Sequence, residues 1–198
     1  MKAVHSSLAL SAILALGSAA CGGTPATGPA SPADGPTAAT TSSVGDGEGT
    51  PTEPSGPRPP DFELPTLGGE TVRLSDHLGK DVVLIDFWAT FCDPCLASMP
   101  HLDELYKKHK DKGFVVLGVS IDGPDSQAEV KSTVAKLGVS FPILLDQETR
   151  VVALYNPKTS APFSVLIGRD GGILTKKEGY TTGDSSSVDK DVEAALAK

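Results

Sequence analysis

Between Asp61 and Lys198 the apolar residues fall alternately into short runs and helical stripes. Val82 to Phe87 is nearly continuous apolar sequence, the pattern of a strand covered on both faces. After it, Leu96, Met99, Leu102, Leu105 and Tyr106 recur at helical spacing, with Asp103, Glu104, Lys107, Lys108 and Lys110 at intervening and trailing positions. This predicts an amphipathic helix ending near Gly113. Phe114 to Ile121 reads as a second buried strand, and Ser126 to Leu137 as a helix carrying Val130, Val134 and Leu137, closed by Gly138. Phe141 to Leu145 is a short strand, and Glu148 to Tyr155 a short helix stopped before Pro157. Ser164 to Ile167 and Ile173 to Lys177 flank the turn Arg169-Asp170-Gly171-Gly172, and a last helix from about Ser187 to Ala197 bears Val188, Val192 and Leu196. At the front, Phe62 to Leu64 and Thr71 to Leu74 make a hairpin around Leu67-Gly68-Gly69-Glu70. The predicted class is α/β, a central mixed β-sheet flanked by helices, with an N-terminal β-hairpin extension and no internal repeat.

The chain ahead of Asp61 has a different character. Residues 22–60 are mostly Gly, Pro, Ser, Thr and Ala, with Val44 the one large apolar residue, too little to offset the entropy of ordering. They read as a disordered linker whose root-mean-square span as a flexible coil is on the order of 35 Å. Residues 1–20 place Lys2 before an apolar stretch from Leu8 to Leu16, followed by Gly17, Ser18, Ala19 and Ala20, the layout of a secretory signal peptide. The stretch is about half the length of a spanning helix. The next residues, Cys21-Gly22-Gly23, resemble the lipobox of bacterial lipoproteins, although Ser18 stands where Leu is usual. Lipidation at Cys21 is the expectation; ordinary cleavage leaving a free thiol is the alternative. The organisation expected is therefore a signal peptide at 1–20, a lipidated N-terminus and linker at 21–60, and one folded domain at 61–198. Its location would be extracytoplasmic, anchored by lipid to a bacterial membrane on the periplasmic or cell-surface side.

Composition narrows the chemistry. With 17 Lys and Arg against 25 Asp and Glu, the formal net charge is -8, and no basic run supplies the phosphate neutralisation that nucleic acid demands. The 198 residues hold three cysteines, Cys21, Cys92 and Cys95. Acylation of Cys21 would leave one pair, which closes too small a loop to staple a domain, so its role is chemistry or metal. Structural zinc needs four ligands, and His77, His101 and His109 form no partner motif, so no metal is expected. Cys92 falls at the start of the amphipathic helix, where free amides and the dipole favour a thiolate. Pro94 is tolerated in that first turn. Two thiols at this spacing can form a disulfide with little backbone movement. Cys92 is thus the exposed nucleophile, and Cys95, one turn deeper, the resolving thiol.

Asp86-Phe87-Trp88-Ala89 followed by Cys92-Asp93-Pro94-Cys95 resembles the thioredoxin superfamily. Pro60-Asp61-Phe62-Glu63-Leu64 and the extra hairpin are similar to its membrane-tethered TlpA/ResA-like thiol:disulfide oxidoreductases. Pro100, eight residues after Cys92, and Ala161-Pro162 before a strand match the family's helix proline and cis-proline. The resemblance implies a thioredoxin fold and a buried acid at Asp86, six residues before Cys92, that takes the Cys95 proton. A merely structural acid is the other reading of Asp86. The resemblance also implies a substrate surface of Trp88, Phe91, Pro94, Ala161 and Pro162, although core packing explains Trp88 equally well. It implies no cofactor beyond the redox-active Cys92-Cys95 disulfide.

Three departures bear on specificity. Phe91 replaces a family Trp, Asp93-Pro94 is closer to the Glu-Pro of the cytochrome c maturation members, and Phe163-Ser164 replaces the usual Thr residues. A negative charge at Asp93 opposes thiolate formation and favours a reducing pair. The expected activity is reduction of protein disulfides in exported cysteine proteins such as apocytochrome c, with a membrane thiol donor restoring the dithiol, by a monomer. Two other readings stay open. One is a peroxiredoxin-like thiol peroxidase, although Ala89 stands where those enzymes place a Thr; the other is a non-catalytic lipoprotein delivering metal or haem.

Overall fold

The computed structural model describes residues 53–181 and 183–198. The signal peptide, Cys21 and the linker as far as residue 52 lie outside the described residues. Among the described residues, seven strands form in chain order. Glu63–Pro65 (β1) and Thr71–Arg73 (β2) pair antiparallel as the expected hairpin. The central sheet is built from Val82–Trp88 (β3), Phe114–Ser120 (β4), Ile143–Leu145 (β5), Phe163–Ile167 (β6) and Ile173–Glu178 (β7), in the order β5-β4-β3-β6-β7. β4 runs parallel to β3 and β5, whereas β6 is antiparallel to β3 and β7, so the sheet is mixed as expected. The helices are Asp93–His109 (α1), Gln127–Leu137 (α2), Arg150–Tyr155 (α3) and Ser185–Leu196 (α4).

Every residue of β3 is buried, because helices or loops cover both faces of the sheet. On one face Val82, Leu84 and Trp88 pack with Met99, Leu102 and Leu105 of α1, Val130 of α2 and Val192 of α4. On the other, Val83, Ile85 and Phe87 pack with Val151, Val152 and Tyr155 of α3 and with Phe62 and Leu64 of the hairpin region. Gly113 at φ 78° and Gly138 at φ 66° end the α1 and α2 segments in the left-handed conformation that Gly adopts without steric cost.

Residues Ser55 to Pro60, assigned to the linker by composition, lie against the domain. Ile173 N–H donates to Pro57 O at 2.9 Å, Ser55 N–H to Asp170 Oδ2 at 2.6 Å, and the Tyr155 hydroxyl to Pro60 O. These contacts are made by backbone, which is why a composition lacking large apolar residues concealed them. Gly56 is required there, since a Cβ would stand 2.1 Å from Ile173 O.

A second tight approach lies inside the sheet. Gly118 of β4 pairs with Asp86 of β3, and a Cβ on it would fall 2.7 Å from the Phe141 ring and 2.9 Å from Ile143 Cδ1. Gly118→Ala should destabilise the domain by about 1–3 kcal/mol through overpacking, read as a lowered urea midpoint at unchanged slope.

Candidate active site

β3 ends at Trp88, and the chain turns through Ala89, Thr90 and Phe91 to Cys92, the N-cap of α1. The turn is closed by Cys92 N–H donating to Ala89 O at 3.1 Å. Asp93 and Pro94 occupy the first helical turn, where the Pro ring removes no intrahelical bond. Cys92 and Cys95 are joined in a disulfide with Cα atoms 5.3 Å apart, and Cys95 N–H points at Cys92 Sγ at 3.3 Å. An N–H at that place stabilises negative charge on the sulfur once the bond is reduced.

The two sulfurs differ in access, but less than the sequence implied. Cys92 is 7% exposed and Cys95 fully buried, so the expectation of an exposed Cys92 needs correction. The exposed member of the group is Phe91, at 78%, standing beside the disulfide edge with Asp93 and Pro94, which are also exposed. Trp88 is fully buried in the core with α1, so it is not part of a substrate-facing surface. The alternation along β3 turns it inward with Leu84.

Asp86 is 5% exposed, and its Oδ2 has no hydrogen-bond partner. Burial alone pushes its carboxyl up to about 7. It faces a cavity of about 20 Å³ lined also by Ser98 and Leu102 of α1, Pro162, Ser164, Lys177 and Tyr180. That space is large enough for one water. Ser98 lies one turn beyond Cys95 and donates from its hydroxyl to Cys95 O at 2.8 Å, so the acid sits under the same face of α1 as the buried thiol. Lys177 is held off by Asp184 at 2.5 Å and Ser187 at 2.9 Å.

The Ala161–Pro162 peptide is cis, half-buried, and precedes β6. Phe87 pairs with Phe163, which puts Pro162 beside the end of β3 from which the cysteine loop departs. Gly179 N–H fixes this loop by donating to Pro162 O at 2.8 Å, and Asn156 Nδ2 donates to Ser160 Oγ at 2.9 Å. The fold therefore brings Cys92, Cys95, Asp86, Phe91, Pro94 and Pro162 to one end of the sheet. Sequence reasoning missed Lys177 and Tyr180 in the cavity and Asp122 behind the cysteine loop. Only the strand register, pairing Asp86 with Ser164, Ser164 with Lys177 and Trp88 with Ser120, makes them neighbours of the site.

A dithiol capping a helix at the end of a buried central strand, with a cis-proline loop alongside, defines a thioredoxin-fold dithiol protein. Comparison with known proteins gives the same class. The profile of the AhpC/TSA family matches residues 56–176. Thiol-disulfide oxidoreductase ResA of Bacillus cereus is 35% identical over 127 residues, covering 64% of this chain and 71% of the relative. ResA of Geobacillus kaustophilus is 36% identical over 126 residues, covering 60% and 70%. Among solved structures, a candidate thiol:disulfide interchange protein DsbE of Chlorobium tepidum superposes with TM-score 0.66 at 34% identity, covering 73% of this chain and 99% of that one. The thioredoxin domain of a Bacteroides vulgatus thiol-disulfide oxidoreductase does so with TM-score 0.58 at 29% identity, covering 69% and 96%. The chain belongs to the AhpC/TSA family of the thioredoxin superfamily and, within it, to the ResA-like thiol-disulfide oxidoreductases.

Proposed function

We propose that this oxidoreductase reduces disulfides of exported proteins outside the cytoplasm. The observation that carries the reading is the Cys92-Cys95 pair at the N-terminus of α1, with sulfur reachable only on the Cys92 side. Reduced Cys92 attacks a substrate disulfide as thiolate, forming a mixed disulfide and expelling one substrate thiolate, which takes a proton from solvent. Asp86 accepts the Cys95 proton, and the Cys95 thiolate attacks Cys92 Sγ, breaking its bond to the substrate sulfur; the second substrate thiolate leaves and takes up a proton, and the Cys92-Cys95 disulfide is formed. A membrane thiol donor then supplies two electrons and two protons. The exchange draws on no further cofactor. Exposed Phe91 and Pro94, with the Ala161-Pro162 backbone, supply an apolar edge for an extended substrate segment.

The setting follows from the N-terminal sequence. A signal peptide at 1–20 and lipidation at Cys21 would tether a monomeric domain to the outer side of a bacterial membrane, within reach of apocytochrome c and other cysteine proteins. The Asp93-Pro94 dipeptide supports the reducing direction and cytochrome c maturation as the setting.

With dithiothreitol as donor, the full chain should accelerate reduction of insulin disulfides, and Cys92→Ser should lower that rate by roughly a thousandfold. The AhpC/TSA match supports thiol peroxidase chemistry as the competing reading. Consumption of hydrogen peroxide faster than insulin disulfide by the same preparation would overturn the proposal.

A further inference from the structure

Asp122 is a buried carboxylate, 4% exposed, that the exchange chemistry leaves unused. It follows β4, and all its hydrogen bonds are directed at the loop bearing Cys92 or at its own strand. Thr90 N–H donates to both carboxylate oxygens at 3.1 Å, and the Thr90 hydroxyl donates to Oδ1 at 2.6 Å. Ser120 Oγ donates to Oδ2 at 2.7 Å, and Asp122 N–H returns a bond to Ser120 Oγ at 3.2 Å. Ile121 N–H donates to Trp88 O at 2.9 Å, so β3 and β4 stay tied just below this contact. Beyond Trp88 the cysteine loop has left the sheet, and its closure from Ala89 to Cys92 is a single bond. Thr90 is the one loop residue gripped from outside on both its backbone and its side chain.

We infer that Asp122 is a positioning residue for the dithiol: by holding Thr90 it fixes the Ala89–Cys92 turn and so keeps Cys92 Sγ over the amides that open α1. The inference rests on Cys92 being the nucleophile. A buried side chain with two oxygens facing four donor approaches is a rigid anchor, because each donor left without it would be desolvated and unpaired. Loss of the anchor frees the turn. Cys92 would then spend less time where Cys95 N–H meets it, and attack at sulfur depends steeply on such alignment.

Iodoacetamide labelling of the reduced full chain at neutral pH, with the Cys92 peptide quantified by mass, reads the effect. Asp122→Ala should slow labelling of Cys92 about tenfold relative to the wild type. Asp122→Asn, which keeps an acceptor for Thr90 without the charge, should bring the rate back to within about twofold. Thr90→Val removes the hydroxyl donor alone and should slow labelling roughly threefold, which decides the matter if Asp122→Ala does not fold. Unchanged rates in Thr90→Val and Asp122→Ala would overturn the inference, as would Asp122→Asn and Asp122→Ala moving together, because charge rather than geometry would then govern the thiol. Slow labelling of Cys92 in the wild type is a different result: it would sink the nucleophile assignment itself.

Discussion

Cys95→Ser should convert the enzyme from a turning-over catalyst into a trap. Cys92 keeps its place at the head of α1 and can still attack a disulfide, but nothing buried beneath it can displace the captured substrate. Insulin reduction should fall by roughly a hundredfold or more, and in a single turnover of the pre-reduced variant with dithiothreitol removed a covalent enzyme–substrate species should build up, visible on a non-reducing gel and dissolved when dithiothreitol is added back. The serine hydroxyl is nearly isosteric with the thiol and stays in a buried position, so the fold should persist. Turnover retained without any trapped species would mean that Cys95 does not resolve the intermediate.

Asp86→Asn should separate stability from chemistry. The folded state holds the Asp86 proton up to about pH 7, whereas the unfolded chain releases it near 3.8. Stability is therefore lost as pH rises from about 4 towards about 7 and changes no further from this group above that, since the native state binds more protons at this group than the unfolded state only in that window. An amide carries no such cost. Urea titrations should find Asp86→Asn more stable than wild type at pH 8, by an amount of order 4 kcal/mol at most, with the gap closing towards pH 4. The same variant should resolve mixed disulfides roughly a hundredfold more slowly at neutral pH, because the Cys95 proton has lost its acceptor. Equal stability at both pH values would show that Asp86 is solvated or paired.

Most of the framework was legible because it is written in apolar periodicity. The run Val82–Phe87 became β3, the Leu96–Tyr106 stripe became the face of α1, and Gly113 and Gly138 stopped their segments where expected. The dithiol and its cis-proline were legible because their chemistry lies in contiguous residues. What escaped depends on which strands lie side by side. Asp122 serves Thr90 from 32 residues away through a parallel pairing, and Lys177 joins the Asp86 row through two antiparallel ones. Local pattern carries no trace of either. Cys92 went astray because its place at a helix N-terminus suggested display, yet it is 7% exposed; for Trp88, the core packing that the sequence left open is what the structure bears out.

The backbone of Ser55–Pro57 fastens beside the Asp170 turn, at the end of the sheet where Arg169 also grips Lys80 O at 3.2 Å. That is the pole opposite the thiols, separated from them by the length of β3, roughly 20 Å at strand rise. A bead or fusion partner joined directly at Ser55 would therefore meet the domain from behind. A preparation immobilised through a residue at Ser55 should accordingly leave its reactive pole facing the bulk phase, open to bulky clients.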